Sequence, residues 1–185
     1  MTVLKNTQVC FLHSSNKGKS ILAHSPKAIF SGSDLKDFKK FTKKHKDCLL
    51  IGYLSYDLAY QLYNIKAKAK NELKLPKIYF LAYKNWLETE SKSLKNTKLF
   101  KANFPKTAKS TNFKATITKD AYKNAYKKIQ HYIREGDIYQ INLTHRLEAE
   151  TTIPPRELFL KIIQSNPVDF LAYIEGKNFE ILSAS

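Results

Sequence analysis

The chain has 185 residues, 43% of them hydrophobic and 12% aromatic, which is enough apolar material to bury the core of one domain or one and a part. It has no apolar run of the roughly 18 residues that a membrane span needs, and residues 1–16 lack the pattern of a secretion signal, so we expect a cytoplasmic protein. The net charge of +16 comes almost wholly from lysine, and with so few Arg residues the composition argues against nucleic-acid recognition, which relies on the Arg fork.

The beginning of the chain predicts two strands followed by a helix. Short apolar runs at residues 7–12 and 20–24, separated by residues 16–18, are typical of two strands joined by a turn. Ser33 is predicted to cap a helix over residues 34–45, because apolar side chains recur there at helical spacing and acidic residues occupy the first turn.

The next region predicts a buried strand and a hairpin. Residues 49–58 are apolar and aromatic with Gly52 inside the run, which predicts a strand that another group approaches closely. Residues 77–90 and 98–104 are predicted to pair as the two strands of a hairpin.

A domain boundary is predicted near the middle of the chain. Residues 104–113 are polar and show neither helical nor strand periodicity, which is typical of a linker. We therefore expect one region over residues 1–113 and a second over residues 114–185.

The second region begins with the clearest periodicity in the chain. Thr118 is predicted to cap a helix that ends at Gly136, and a period of two then predicts a long strand over residues 139–149. A structural network and a ligand wall explain the polar face of this strand equally well. That face carries three neutral hydrogen-bonding groups and one Arg, namely Gln140, Asn142, Thr144 and Arg146.

The end of the chain predicts a short helix and a hairpin. The helix begins at Pro154-Pro155 and ends near Asn166-Pro167. Residues 168–174 and 179–183 are predicted to pair across a turn. The whole pattern indicates an α+β fold, with antiparallel sheets and packed helices.

No residue set has the spacing of a familiar catalytic or metal site. The five histidines are scattered, and Cys10 and Cys48 are predicted to be buried thiols because they lack CxxC spacing. Phosphate-binding glycine loops and the GxSxG motif do not occur. Glu148 and Glu150 have a same-face spacing that suits acid-base chemistry, but surface solvation explains them better.

Five blocks together resemble one enzyme family. The blocks are the GYLSYDL run at residues 52–58, the LP…Y…W stretch at 75–86, the YIREGDIYQINLTHR segment at 132–146, NPVDFLAYI at 166–174 and ILSAS at 181–185. In order and spacing they resemble blocks of the chorismate-utilising component I enzymes, a family that comprises para-aminobenzoate (aminodeoxychorismate) synthase component I and anthranilate synthase component I.

The resemblance implies the fold and activity of the complete family enzyme. It implies the amino-terminal part of the anthranilate synthase component I-like sandwich, in a Mg²⁺-dependent enzyme that aminates chorismate with ammonia from a glutamine amidotransferase partner. In the family, the Mg²⁺ ligands, the chorismate-binding groups and the catalytic base follow the block at 181–185. The resemblance therefore implies no catalytic, cofactor-binding or metal residue in this chain, and no activity of the chain alone.

The resemblance also implies one ligand pocket within the chain. The family binds tryptophan between an L-(L)-(E/H)-S segment, matched here by residues 22–25, and the NPxPF block. Ser25 would hydrogen-bond the amino acid end of the ligand, Phe170 and Leu171 would wall its indole ring, and Asp169 stands where the family usually has a second Pro. Ser25 is explained equally well as a turn residue.

The sequence leaves three possible functions open, namely the two branches of the family and a non-catalytic protein. Residues 139–144, and His24 in place of the regulatory Glu, resemble the aminodeoxychorismate members more closely, which favours the folate pathway over the tryptophan pathway. The rival reading is a basic binding module or a decayed remnant without catalytic activity.

Overall fold

The computed structural model describes residues 7–15, 18–66, 71–90 and 109–185. Contacts divide the chain into two compact units, the first comprising Met1–Ala102 with Pro155–Ser185 and the second Asn103–Pro154. The described residues form ten strands and four helices, which are β1 (Val9–His13), β2 (Lys19–His24), β3 (Ala28–Gly32), α1 (Leu35–Lys44), β4 (Leu49–Leu54), α2 (Leu58–Leu62), β5 (Ile78–Tyr83), β6 (Trp86–Glu90), β7 (Lys114–Ala115), α3 (Lys119–Arg134), β8 (Leu147–Glu148), α4 (Pro155–Ser165), β9 (Leu171–Glu175) and β10 (Glu180–Ala184).

Two antiparallel sheets form the first unit. Five strands lie in the order β10-β9-β1-β2-β6, and three lie in the order β3-β5-β4. The alternation along β1 determines how they pack, because Phe11 contacts Phe159 of α4 whereas Cys10 lies in one buried cluster with Ile51 and Tyr79 of the smaller sheet. The larger sheet therefore has α4 on one face and the smaller sheet on the other, and the predicted α+β fold is confirmed.

Helix α1 covers the outer face of the three-stranded sheet. The rings of Phe38 and Phe80 lie 4.7 Å apart, and those of Phe41 and Phe30 lie 5.5 Å apart. The helix is confirmed, but its cap is Asp34, whose carboxylate accepts two backbone N–H groups of the first turn at 2.7 and 2.9 Å. The prediction of Ser33 as the cap was wrong by one residue.

Strand β4 occupies the first part of the run that predicted a buried strand. It ends at Leu54, and Leu58 already begins α2. Gly52 lies directly beside β5, where a Cβ atom at this position would lie 2.0 Å from the carbonyl oxygen of Tyr79. The predicted close approach at Gly52 is confirmed, and the partner is backbone.

The predicted single strand over residues 77–90 is wrong, because the run divides between the two sheets. Strand β5 pairs with β3 and β4, whereas β6 pairs with β2, with Leu87 opposite Leu22. Alternation predicts that a segment is extended but not which neighbour it joins. The predicted partner at residues 98–104 lies outside the described residues.

The second unit contains α3 and the short pair of strands β7 and β8. The predicted helix is confirmed, with Thr118 Oγ1 accepting the N–H of Ala121 and Gly136 at a φ of 80° beyond the last turn. The predicted long strand over residues 139–149 is wrong, since only β8 is a strand there. A strand requires a neighbour for its backbone hydrogen bonds, and in the described part of the chain only β7 supplies one.

The end of the chain returns to the first unit. Strands β9 and β10 form the predicted hairpin and α4 is the predicted helix, so both predictions are confirmed. Strand β9 also pairs with β1, which is why the contacts group Pro155–Ser185 with the beginning of the chain. The predicted boundary between residues 1–113 and 114–185 stays a prediction, and residues 104–108 of its linker are outside the described ranges.

Candidate functional site

A cavity of about 400 Å³ lies in the first unit, at one end of the larger sheet. Strand β1 ends there with His13, whose register partners are Ser20 in β2 and Leu171 in β9. The apolar part of the wall consists of Leu12, Ile21, Phe170, Leu171 and Ala172. A volume of this size suits a small ligand such as an amino acid.

One polar pair of this cavity is already satisfied. The Nδ1 atom of His13 lies 2.8 Å from Ser20 Oγ, and both side chains are buried. The ring of His13 also stacks on Phe11 with the centroids 5.8 Å apart. Burial lowers the pKa of His13, so this side chain is neutral at neutral pH.

Asp169 supplies an unsatisfied acceptor in the cavity wall. Its Oδ1 atom is buried and has no hydrogen-bond partner within the described residues. The neighbouring backbone is fixed, since Phe170 and Ser185 exchange both backbone hydrogen bonds at 3.2 and 3.0 Å. Because a buried acceptor without a donor is costly, the site favours a ligand that brings an N–H group.

An exposed ion pair also belongs to the wall of this cavity. Lys19 Nζ lies 2.9 Å from Glu88 Oε1, and both side chains are largely in water. Solvent screens such a pair, so it adds polar character to the cavity with little effect on stability.

The structure brings three of the four predicted pocket residues together. Asp169, Phe170 and Leu171 line the cavity, but Ser25 does not. Ser25 lies beyond the opposite end of β2, five residues from Ser20 or about 17 Å along an extended strand. It is exposed, has a φ of 56° and connects β2 to β3, which agrees with its reading as a turn residue.

The segment at residues 12–14 lies at the position in the cavity wall where Ser25 was predicted to lie. Leu12, His13 and Ser14 line the cavity directly beside Phe170 and Leu171. Their Leu-His-Ser order also fits the L-(L)-(E/H)-S pattern, so the sequence contains a second match to this pattern besides the one at residues 22–25. The backbone N–H of Ser15 donates to the Val168 carbonyl at 3.2 Å and joins the two segments.

A second polar cluster, which the sequence did not predict, centres on Glu175. Its Oε1 atom accepts hydrogen bonds from Arg156 Nε at 2.7 Å and from the Tyr173 hydroxyl at 2.9 Å. Its Oε2 atom accepts the backbone N–H of Val9 at 2.9 Å. Burial and the Glu175 carboxylate raise the pKa of Tyr173. The cluster fastens α4 and the start of β1 to β9, which is a structural role.

The polar groups described in the second unit lie partly on the surface and partly at a cavity. Glu148 pairs with Arg146 at 2.7 Å on the surface, and Glu150 is also exposed, which agrees with solvation. Asn142 and Thr144 line a cavity of about 450 Å³ against α3. The alternatives of network and ligand wall both stay open for this face.

The described ranges contain neither a cluster of metal ligands nor a membrane-spanning helix. No three His, Cys, Asp or Glu side chains come together there as metal ligands. None of the helices described is long and apolar enough to cross a membrane.

Comparison with known proteins decides the family. Residues 7–185 match the sequence profile of the family described as chorismate binding enzyme. The chain belongs to this family. The resemblance drawn from the sequence blocks is thereby confirmed, and the fold is that of a part of a chorismate binding enzyme.

Relatives within the chorismate binding enzymes come from both branches. Aminodeoxychorismate synthase component 1 of Bacillus subtilis (strain 168) is 30% identical over 165 residues, covering 73% of this chain and 35% of that protein. Anthranilate synthase component 1 of Thermus thermophilus is 25% identical over 160 residues, covering 74% of this chain and 35% of that protein. Anthranilate synthase alpha subunit 2 of Oryza sativa subsp. japonica is 35% identical over 72 residues, covering 39% and 12%. The chain thus spans about a third or less of these relatives.

Proposed function

We propose that this chain is the amino-terminal part of an aminodeoxychorismate synthase component I. The complete enzyme would replace a hydroxyl group of chorismate with ammonia and form 4-amino-4-deoxychorismate for folate synthesis. The observation that carries the proposal is the similarity to the Bacillus subtilis protein of that name, which extends over 73% of this chain. The sequence at residues 139–144 supports the same branch.

In this proposal the described residues are the scaffold of the enzyme. The complete enzyme would use Mg²⁺ and take ammonia from a glutamine amidotransferase subunit, its component II. The proposal assigns the Mg²⁺ ligands and the catalytic groups to the part of the enzyme that lies outside the matched region. We expect the purified chain to leave chorismate unchanged when ammonium and Mg²⁺ are supplied.

The cavity at the end of β1 is proposed as the tryptophan pocket of the family. Phe170 and Leu171 would wall the indole ring, and Asp169 Oδ1 would accept a hydrogen bond from the amino group of the ligand. Ser14 takes the role that the sequence pattern gave to Ser25. This proposal is supported by the shared cavity and by the buried acceptor without a donor.

Two serine variants provide a matched test of this pocket. Calorimetric titration of the chain with tryptophan should show one saturable site, with affinity reduced about tenfold by Ser14→Ala and unchanged by Ser25→Ala. Asp169→Asn should also weaken binding, because it removes the negative charge beside the ligand's ammonium group. Loss of affinity in Ser25→Ala but not in Ser14→Ala would place the ligand elsewhere.

Anthranilate synthase component I is the second candidate function. The observation that favours it is the similarity to the Thermus thermophilus protein, which covers an equal share of this chain. The restored full-length enzyme distinguishes the two, because strong inhibition by tryptophan would indicate the anthranilate branch. An enzyme of the folate branch should retain its activity when tryptophan is added.

A further inference from the structure

A second cavity of the first unit has a volume of about 990 Å³ and shares no lining residue with the cavity described above. It lies between the smaller sheet, through Ile29 and Tyr79, and the turn that joins β9 to β10. The segment before β5, including Leu75 and Pro76, forms another wall. The volume lies at the upper end of the range for small-molecule sites.

The walls of this cavity are mainly apolar and aromatic. The rings of Phe179 and Tyr79 meet edge to face with their centroids 5.1 Å apart and form one corner. Leu73, in the wall, is 65% exposed, so much of its apolar surface has no cover from the described residues. Such a corner accepts the edge or face of a further ring.

Two polar atoms of the lining residues have no hydrogen-bond partner among the residues that the structure describes. The Tyr79 hydroxyl and Gln8 Oε1 are both buried and make no hydrogen bond within the described part of the chain. Each unpaired buried polar atom costs about 1–3 kcal/mol. Burial raises the pKa of Tyr79 to about 12, so its hydroxyl remains a hydrogen-bond donor at neutral pH.

The charge at this cavity is positive. Lys74 and Lys177 both belong to the wall, are exposed and form no ion pair with the residues described here. Glu180 is the one carboxylate among the lining residues of the described chain. Lys74 also adopts a φ of 50°, a conformation uncommon for a residue with a side chain, and its N–H donates to Asn71 Oδ1 at 3.0 Å.

We propose that this cavity binds a small aromatic anion. The ring packs in the corner formed by Tyr79 and Phe179, and the anionic group lies toward Lys74 and Lys177. This site is separate from the proposed tryptophan pocket and goes beyond the proposed function. A neutral aromatic compound fits the apolar walls but lacks the interaction with the two lysines.

Two fluorescent probes test the proposal on the whole chain. The sulfonate 8-anilinonaphthalene-1-sulfonate is an aromatic anion, and N-phenyl-1-naphthylamine is a neutral compound of similar size. Ser31 lines the cavity on β3 and is exposed, so Ser31→Trp places an indole in part of this space without disturbing the core. This variant should weaken sulfonate binding about tenfold or more. Ser33→Trp, at an exposed position outside the cavity, is the matched control and should bind like the unmodified chain.

Charge reversal separates an anion site from a merely apolar cleft. Lys74→Glu combined with Lys177→Glu should lower the affinity for the sulfonate about tenfold and leave the affinity for the neutral probe unchanged. Tyr79→Phe keeps the ring but removes the hydroxyl donor, so it should lower the affinity for the sulfonate several-fold. Excess tryptophan should not displace the probe, so failure of the tryptophan pocket leaves this result intact. Equal response of both probes to charge reversal, or unchanged binding in Ser31→Trp, would overturn the proposal.

Discussion

At the scale of single residues, burial separates the two cysteines. Cys10 is fully buried in the core between the sheets, and burial raises its pKa to about 12, whereas Cys48 is only half-buried. Because the thiolate is the reactive form, iodoacetamide at pH 7.5 should label Cys48 and leave Cys10 unmodified until urea unfolds the chain. Mass spectrometry measures the extent of labelling at each cysteine. In Cys48→Ser the native chain should remain unlabelled, and modification of Cys10 at the rate of Cys48 would refute the assignment.

His13 should make stability depend on pH. Burial lowers its pKa, so the unfolded chain takes up a proton near pH 6.5 while the folded chain still holds the ring neutral. The free energy of unfolding is therefore highest above pH 6.5 and decreases as the pH falls below that value. The buried His45, whose pKa is lowered by burial and by Lys27 and Lys44, acts in the same direction.

A substitution isolates the contribution of His13. His13→Gln keeps a polar partner for Ser20 but cannot be protonated, so the difference in unfolding free energy between pH 7.5 and 5.5 should become smaller. Urea unfolding at the two pH values measures it. The exposed His24 is the control, and His24→Gln should leave the difference unchanged. An equal effect of both substitutions would contradict the role of burial.

At the scale of the elements, the contact between β4 and β5 depends on Gly52. A Cβ atom there would lie 2.0 Å from the Tyr79 carbonyl oxygen and 2.7 Å from the Cα atom of Phe80, both of which are backbone and cannot rotate away. Gly52→Ala should therefore cost about 3 kcal/mol in urea unfolding. Gly32→Ala, whose Cβ would meet only the Phe30 ring at 3.6 Å, should change stability by less than about 1 kcal/mol. Equal losses would contradict this geometry.

The attachment of α4 to the larger sheet depends on the pair of Arg156 and Glu175. Their side chains are 38% and 16% exposed, so removing the guanidinium leaves a largely buried carboxylate with fewer donors. Arg156→Met should lower the unfolding free energy by about 2 kcal/mol, between the values for buried and surface pairs. Lys19→Met, which breaks an exposed pair with Glu88, should have little effect. A similar loss in both variants would show that burial does not matter here.

The sequence predicts local structure better than it predicts partners. The helices α1, α3 and α4 follow from apolar spacing within the segment itself, and α3 also from its cap Thr118, which is local information. The strand predicted over residues 139–149 fails because alternation does not provide a neighbouring strand. For the same reason the run over residues 77–90 was read as one strand, although its two halves pair in different sheets.

The candidate site shows the same limit. The NPVDFLAYI block contains Asp169, Phe170 and Leu171, and the structure places these three consecutive residues in the wall of one cavity. Two segments fit the serine pattern, one at residues 12–14 and one at residues 22–25. The pairing register of β1 and β2 was needed to show that Ser14 lies at the cavity and that Ser25 lies beyond the far end of β2. The Glu175 cluster joins α4 and β9 to Val9, which lies 166 residues from Glu175 in sequence, so no motif indicated it.

At the scale of the whole molecule, the chain is a chorismate binding enzyme sequence that spans 35% of its Bacillus subtilis relative. Its first unit joins the beginning and end of the sequence through β1 and β9, and the described residues gather no set of metal ligands. Under the proposed function, this chain should contribute to catalysis only when it is joined to the part of the enzyme that lies outside the matched region.

A chimera tests this central claim most directly. The chain is fused to the part of the Bacillus subtilis relative that lies outside the matched region, and chorismate conversion with ammonium and Mg²⁺ is followed by chromatography. The account predicts formation of 4-amino-4-deoxychorismate by the chimera and none by the chain alone. Turnover by the chain alone would contradict it, as would a chimera that is folded by circular dichroism but inactive where the parent enzyme is active.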